Sequence, residues 1–216
     1  MSHSLNEIAA HAKRASRGAG LSWGMAEEAS RATRWLASHD LGGPTILADL
    51  LAQNDGIPHE QVAPISLKDD WHARGDVLCP LTAGTALNDC ADHLIQGAPI
   101  KMVNVSYPLL ILPFAAWAAI HLQQTVRVKW ETVVIDTDGA RVWSSGPTNE
   151  INTSISSFLT CELTAPRADP GQLPGLRGSV TPEIWDRLDT FAQRILAPAT
   201  DESRALGAGA GLSDND

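Results

Sequence analysis

The chain has 216 residues, of which 44% are hydrophobic and 19% are charged, a composition typical of a globular protein. It carries 25 acidic and 16 basic residues, a net charge of −9, whereas proteins that bind nucleic acids or anionic membranes present basic surfaces. This length allows one domain to bury its own core without a metal or disulfide. We therefore expect a self-sufficient fold that binds neither nucleic acid nor membrane.

The cysteines and the apolar runs indicate the compartment. Three scattered cysteines are the wrong number for a disulfide framework and are typical of a reducing environment. The N-terminus lacks the basic and apolar regions of a secretory signal. The most apolar run, residues 107–122, is shorter than the roughly 20 residues that span a bilayer. We expect a soluble cytoplasmic protein.

The first quarter of the chain, residues 1–53, has a helical pattern. Ser4 and Glu7 form a capping box that begins one helix, which ends at the glycines of residues 18–20. Ser22 caps a second helix that ends before Gly42, and a third helix runs from residue 45 to the Asn-Asp-Gly turn at 54–56. The pattern predicts a helical hairpin followed by one more helix.

The middle of the chain, residues 62–165, alternates between strand and helix patterns. Helices are predicted from Pro80 to about Ile95 and after Pro113, and Asp138-Gly139 is a strong hairpin signal. Strands are predicted at residues 62–67, 77–78, 100–105, 126–130, 132–135, 140–143 and 155–163. Strands joined by hairpins with helices to one side indicate an α+β fold with a mostly antiparallel sheet.

The C-terminal part contains a loop, a helix and a tail. Residues 166–178 are rich in proline and glycine, and Thr181 caps a helix over residues 181–197. We predict one α+β domain over residues 1–206, followed by a glycine-rich acidic tail, 207–216. Because residues 1–34 are basic, the tail either docks onto the N-terminal hairpin of its own or a neighbouring subunit, or only increases solubility.

Several blocks of the chain resemble an uncharacterised, mostly proteobacterial family, a domain of unknown function. The blocks are Leu5-Asn6-Glu7, Arg17-Gly18-Ala19-Gly20, residues 23–29, Leu78-Cys79-Pro80-Leu81 and residues 207–216. The resemblance spans nearly the whole chain but implies no active site. Residues 5–43 also faintly resemble the N-terminal helices of the second malate/lactate-type dehydrogenase family. The Ser-His-Gly segment that usually follows those helices is missing after residue 43. The resemblance therefore implies no particular cofactor.

Cys79 is the first candidate for chemistry. It lies between a predicted strand and the helix that begins at Pro80. A thiol at a helix N-terminus can have a lowered pKa and then act as a nucleophile or an acid–base group. The alternative is a small apolar residue that packs at the end of a strand.

Cys90 and His93 form a second candidate set. With Asp89 they lie at helical spacings, so they could supply two metal ligands or an oriented histidine. A continuous helix would place Cys79 roughly 20 Å from His93, so the three meet only if the helix breaks at Gly84. The simpler interpretation is that Cys90 is buried and His93 is solvated.

Other polar side chains complete the candidate list. Glu27 and Glu28 are paired acids suited to proton transfer, although Arg31 explains both as surface ion pairs. Tryptophans often line pockets, and there are seven of them against one tyrosine. The candidate ligand-binding residues are Arg14, Arg17, Trp23, Trp71 and His72.

These observations favour two classes of function. The first is a soluble enzyme that acts on a small polar metabolite, such as an organic or amino acid. The second is a non-catalytic accessory or assembly subunit that uses the basic hairpin and the acidic tail for contacts. An enzyme should bring tryptophan, histidine, arginine and carboxylates together in a cleft, whereas a subunit should present a flat apolar patch. We expect a homo-oligomer or a subunit of a complex.

Overall fold

The computed structural model describes residues 1–196. The helices within this range are α1 (Leu5–Gly18), α2 (Trp23–Ser38), α3 (Gly43–Gln53), α4 (His59–Val62), α5 (Pro80–Asp89), α6 (Leu112–Leu122), α7 (Thr148–Ile151) and α8 (Pro182–Ala192). The strands are β1 (Ser2–Ser4), β2 (Ile100–Ser106), β3 (Thr125–Trp130), β4 (Val133–Thr137), β5 (Val142–Ser145), β6 (Ile155–Thr164) and β7 (Arg177–Ser179). Short 3-10 helices cover Ala91–Gln96, Pro108–Ile111 and Gln193–Ile195. The α+β prediction is confirmed, with helices at both ends of the described chain.

The N-terminal helices follow their caps. The Ser4 side chain accepts the N–H of Glu7 at 3.2 Å, and the Glu7 carboxylate accepts the N–H of Ser4 at 2.7 Å, which is the predicted capping box. The Ser22 hydroxyl accepts the N–H of Met25 at 3.2 Å. α1 and α2 pack as a hairpin, and α3 packs on α2. The predicted helical hairpin is confirmed.

The C-terminal helix α8 joins this helical layer. Thr181 caps it, as predicted, and it packs against α1 and α3. Gly18 lies so close to the Phe191 carbonyl that any Cβ there would overlap it. Ion pairs join Arg187 to Asp49 at 2.6 Å and Arg194 to Asp55 at 2.7 Å. α8 therefore closes the helical layer that α1 begins.

The main sheet has five strands in the order β2-β6-β3-β4-β5, and every neighbouring pair is antiparallel. Helices α5 and α6 pack on it. Both of its edges are covered: Trp71 and Leu78 bridge to β2, and Gln172 bridges to Val142 of β5. The predicted hairpin at Asp138-Gly139 joins β4 to β5.

Three local predictions were wrong. Residues 62–67 and 77–78 form no strand, because their backbone bridges singly to other segments instead of forming a ladder. The helix from Pro80 ends at Asp89, not near Ile95, and a 3-10 helix follows. The loop predicted over 166–178 contains the start of β7, which pairs with β1 in a second, two-stranded sheet.

β6 also departs from simple alternation. Leu159 and Cys161 point inward as predicted, but Ile155 is 48% exposed and Ser156 is buried instead. The neighbouring strand β2 contains Asn104, whose φ of 51° lies in the left-handed region, between the paired residues Val103 and Val105. The buried side chains of β6 change by one position along the strand, although its pairing with β2 stays in one register.

The last points concern membrane-spanning helices and the C-terminal tail. Among residues 1–196, no helix combines the length and apolar character needed to cross a membrane. The tail, 207–216, and its predicted docking lie outside the described residues.

Candidate functional site

A cavity of about 440 Å³ lies where four parts of the helical layer meet. They are the turn between α1 and α2, the end of α3, the segment around α4 and the start of α5. Most of the wall is aliphatic, with Leu50, Ile57 and Leu81 among its residues. Its polar side chains are Ser22, Asn54, His59, Cys79 and Thr82. A volume of this size is typical of small-molecule sites.

Glycine turns shape the cavity. Gly20 has a φ of 92° and Gly56 a φ of 75°, conformations that favour glycine over any residue with a side chain. The first turn brings Leu21 back over α1, where its N–H donates to the Ser16 carbonyl at 3.1 Å. The second carries the chain from Asn54 at the end of α3 into α4. Both turns supply residues to the wall.

Cys79 is the N-cap of α5, and only 6% of its surface is exposed. Its N–H donates to the Val62 carbonyl at 2.9 Å, and the Thr82 hydroxyl donates to the Cys79 carbonyl at 2.9 Å. Burial raises the pKa of the thiol, while hydrogen bonds from the backbone of Thr82 and Leu81 and from the side chains of Thr82 and Asn54 act to lower it. The thiol is therefore protonated at neutral pH, yet it is surrounded by groups that stabilise a thiolate.

The charge of the wall is low. Of the described residues that line it, none is Asp, Glu, Lys or Arg. Asp55, which follows the lining residue Asn54, is held by both guanidinium nitrogens of Arg194, at 2.7 and 2.9 Å. This hydrogen bond lowers the pKa of Asp55. The wall therefore suits a ligand with an apolar body and a small number of hydrogen-bonding groups.

Two predicted ligand-binding residues lie beside this cavity. Trp23 follows the lining residue Ser22 and is 68% exposed. The Arg17 guanidinium lies 4.5 Å from the centre of the Trp23 ring and also donates to the carbonyl of Leu21, another lining residue. Arg17 and Trp23 thus hold the α1–α2 turn, which forms one side of the cavity. Cys79 lies on another side.

The other candidates on α1 and α2 lie elsewhere. Arg14 is exposed and its Nη2 lies 3.4 Å from Nδ1 of His11. Glu27 pairs with Lys13, and Glu28 pairs with Arg31 at 3.1 Å. Surface ion pairs of this kind contribute little stability. The two acids do not line the Cys79 cavity.

Trp71 and His72 point in different directions. Trp71 is buried, and its N–H and carbonyl bond to β2 at 2.8 and 2.9 Å, whereas His72 is exposed. Trp71 lines a separate cavity of about 330 Å³, which it shares with His93 and the polar segment 68–70. The two cavities have no lining residue in common, so the constellation around Trp71 does not belong to the Cys79 cavity.

The helix predicted to carry Cys90 and His93 ends before both of them. Because α5 ends at Asp89, Cys90 is its C-cap and His93 lies in the following 3-10 helix. Burial raises the pKa of the Cys90 thiol. In residues 1–196, no group of three or more His, Cys, Asp or Glu side chains is placed to hold a metal ion.

Three wall residues were missed in the sequence: Asn54, His59 and Thr82. The sequence marks Asn54 only as a helix stop, and neither His59 nor Thr82 belongs to a recognisable motif. Asn54 and His59 reach the wall from 25 and 20 residues before Cys79, and only this convergence identifies them as wall residues. A threonine three residues after an N-cap cysteine was the available signal.

Comparison with known proteins gives one informative match. Residues 3–77 match a family described as "Protein of unknown function (DUF3726)". No curated protein matches the chain. The resemblance of residues 5–43 to malate/lactate-type dehydrogenases has no support from any family match.

Much of the wall of the Cys79 cavity, from Ala19 to Val62, lies inside the matched segment. The predicted resemblance to a domain of unknown function is therefore confirmed over residues 3–77, and in this segment the chain is similar to that family.

Proposed function

We propose that this protein is an enzyme that acts on a small organic molecule bound in the Cys79 cavity. The observation that carries the proposal is a mainly apolar cavity with one thiol in its wall, at a helix N-terminus. The ligand has an apolar body and a polar group that reaches Asn54 and Thr82. Since its thiol is protonated at neutral pH, Cys79 acts as the acid that donates a proton to the ligand, or as a nucleophile once a basic group of the ligand accepts that proton.

The electrostatics of the wall narrow the ligand class. With no charged Asp, Glu, Lys or Arg side chain among the described residues of the wall, a ligand with several charges would lose its hydration without compensation. Small organic acids bind only if their single carboxylate reaches the mouth of the cavity, near His59 or Arg17. His59 is exposed, is the first residue of α4 and lines the cavity.

A thermal-shift screen against a metabolite library tests the binding step. A ligand at one hundred times its dissociation constant adds about 2.7 kcal/mol to the free energy of unfolding, a shift that is readily measured. We expect Ala19→Phe, which fills the cavity, to abolish the shift given by the best ligand. Ala10→Phe, the same change on the exposed side of α1, should keep it. A hit that shifts both variants equally would contradict binding in this cavity.

The chemical step has its own test. We expect Cys79→Ser to bind the ligand identified in the screen but to lose turnover of it, while Cys90→Ser, which alters a thiol outside the wall, retains turnover. Product formation is followed by mass spectrometry. Full turnover by Cys79→Ser would show that the thiol takes no part in the reaction, and no turnover of the bound ligand by the wild type would leave a binding protein and exclude the enzyme.

A second candidate is a non-catalytic subunit that assembles with a second copy of itself. The observation that favours it is that β6, an interior strand of the main sheet, carries two exposed apolar side chains, Phe158 (63% exposed) and Ile155. Exposed apolar patches are typical of an interface. Light scattering during gel filtration tests this: we expect a dimer that Phe158→Ser converts to a monomer, whereas Ile95→Ser, on another surface, does not. A monomeric wild type would exclude this candidate.

A further inference from the structure

A second concave surface lies on the other side of α2. This groove has a volume of about 440 Å³, and its walls come from α2, α6, the β4–β5 turn and residues 174–176. Its side chains include two arginines and two tryptophans: Arg31, Arg34, Trp35 and Trp117. We call it the Arg34 groove. None of its residues lines the Cys79 cavity.

One wall of the groove is formed by the Trp117 ring, with the guanidinium of Arg31 packed over it. The Arg31 guanidinium lies 4.4 Å from the centre of the Trp117 ring. The Glu28 carboxylate accepts its Nη1 at 3.1 and 3.4 Å, which holds the guanidinium in place. Arg31 is therefore already neutralised by one acid, but its position is fixed over a ring.

The second tryptophan of the groove, Trp35, is held in place by a buried histidine. Trp35 stacks on His39, with ring centres 4.0 Å apart. Nδ1 of His39 lies 2.9 Å from the Trp35 carbonyl, and its Nε2 lies 3.4 Å from the carbonyl of Ala140. His39 is 1% exposed, so it forms a rigid support for the indole. A preorganised aromatic wall loses little entropy when a ligand binds.

Arg34 supplies charge that nothing compensates within residues 1–196. It lies three residues after Arg31, on the same face of α2, and makes no ion pair or side-chain hydrogen bond with any described residue. Two acids that contact residues of the groove are already engaged: Glu28 with Arg31, and Asp138 with the N–H groups of Ala140 and Arg141 at 3.0 and 2.7 Å. The groove therefore combines aromatic surfaces with one free guanidinium.

From this arrangement we propose that the Arg34 groove binds a small planar aromatic anion, such as an aromatic carboxylate. The ring of the ligand lies against Trp35 and Trp117, and its carboxylate pairs with the planar fork of Arg34. This site is separate from the Cys79 cavity, and the inference does not depend on the function proposed there.

Calorimetric titration of the full chain with 2-naphthoate and with 2-naphthamide tests the proposal. The two probes share ring and shape but differ in charge. We expect 2-naphthoate to bind and 2-naphthamide to bind at least tenfold more weakly, because the amide cannot form a charge-assisted pair. Equal binding of the two probes, or no binding of 2-naphthoate, would overturn the proposal.

Variants locate the binding site. Arg34→Gln should weaken 2-naphthoate binding about tenfold, a typical loss for one charge-assisted pair, and Arg34→Lys should recover part of it. Arg74→Gln removes the same charge from an exposed arginine outside the groove and should have no effect. Ala19→Phe, which fills the Cys79 cavity, should also leave binding unchanged. If Arg74→Gln weakens binding as much as Arg34→Gln, or if only Ala19→Phe does, the anion does not bind in the groove.

Discussion

Two histidine rings stack on one tryptophan of α8. The ring centres of His3 and His11 each lie 4.1 Å from that of Trp185, and the planes are nearly parallel. His11 is buried, and its Nε2 lies 3.1 Å from the carbonyl of Trp185. Burial lowers the pKa of His11, and Arg14 adds to this, whereas the hydrogen bond to Trp185 and the charge of Asp189 oppose it. The folded protein therefore favours the neutral ring.

This lowered pKa predicts that acid destabilises the protein through His11. Below about pH 6.5 the unfolded chain binds a proton on His11 that the folded chain resists, so stability falls as the pH falls from there toward the folded pKa. We expect urea unfolding at pH 7.5 and pH 5.5 to show this loss for the wild type and a smaller loss for His11→Gln. His72→Gln, at an exposed site, should behave like the wild type. A wild type equally stable at both pH values would contradict the prediction.

A buried carboxylate lies in the main sheet. Asp136 is 1% exposed, and its oxygens accept Nε and Nη2 of Arg127 at 2.7 and 3.0 Å. Arg167 adds a third contact at 3.3 Å and so ties the segment after β6 to the sheet. Since Asp136 and Arg127 are cross-strand neighbours on β4 and β3, the pair is part of the ladder.

Removing this carboxylate should be costly. We expect Asp136→Asn to lower the free energy of unfolding by about 1–3 kcal/mol, because the buried amide turns an N–H donor toward the N–H donors of Arg127 and Arg167 where a carboxylate oxygen had accepted from them. Asp169→Asn, which removes an exposed partner of Arg167, should have a much smaller effect. Chemical denaturation of the three proteins measures both changes. Equal losses from the two variants would show that burial of Asp136 contributes little.

Among the helices, α5 and α6 depend on one glycine for their close approach. Gly84 lies in the middle of α5, and a Cβ at this position would overlap the ring of Phe114 on α6. The helix passes through Gly84 without a break, so the glycine serves packing and not a kink. The short distance also places α5, and with it Cys79, against the core.

Gly84→Ala should therefore destabilise the protein although alanine is the better helix former. Alanine gains about 1 kcal/mol in helix propensity, but overpacking against Phe114 costs about 1–3 kcal/mol. We expect a lower melting temperature for Gly84→Ala. Gly24→Ala, in α2 where nothing lies within 4 Å, should raise it. An increase for both variants would show that Phe114 moves aside freely.

The elements that the sequence predicted best are those with local signals. Capping residues such as Ser4, Ser22 and Thr181 act within one turn, so the starts of three helices were predictable. β7 was missed because its pairing partner, β1, lies more than 170 residues away. The exposure of Ile155 was missed because the buried side of β6 changes along the strand, near Asn104 on β2, and a strictly alternating pattern contains no sign of this. Long-range pairing and unusual backbone angles leave little trace in a local pattern.

At the scale of the whole molecule, the candidate site also depends on long-range packing that a local sequence pattern does not reveal. The sequence makes Cys79 a candidate by its chemistry and its place before Pro80, Arg17 by its charge, and Trp23 by its place beside glycines. The cavity itself exists only because α3 and α5 pack beside the α1–α2 turn. Asn54 and Thr82 become site residues through that packing, which no single segment encodes.

The core of the molecule predicts that the segment similar to the known family does not fold alone. Buried side chains of α1, of the main sheet and of α8 belong to one continuous cluster, which includes Ile8, Val128 and Leu188. A fragment of residues 1–77 would expose the surfaces of α1 and α3 that α8 covers and would lose α5 and the sheet.

We expect that fragment to give an amide NMR spectrum with poor dispersion and no cooperative thermal transition. A longer fragment, residues 1–196, keeps every described element and should show both dispersion and cooperativity. A well-dispersed spectrum from residues 1–77 would mean that the matched segment is a domain in its own right. The Cys79 cavity would then lie at the boundary between two units, since Cys79 and Thr82 follow the segment directly.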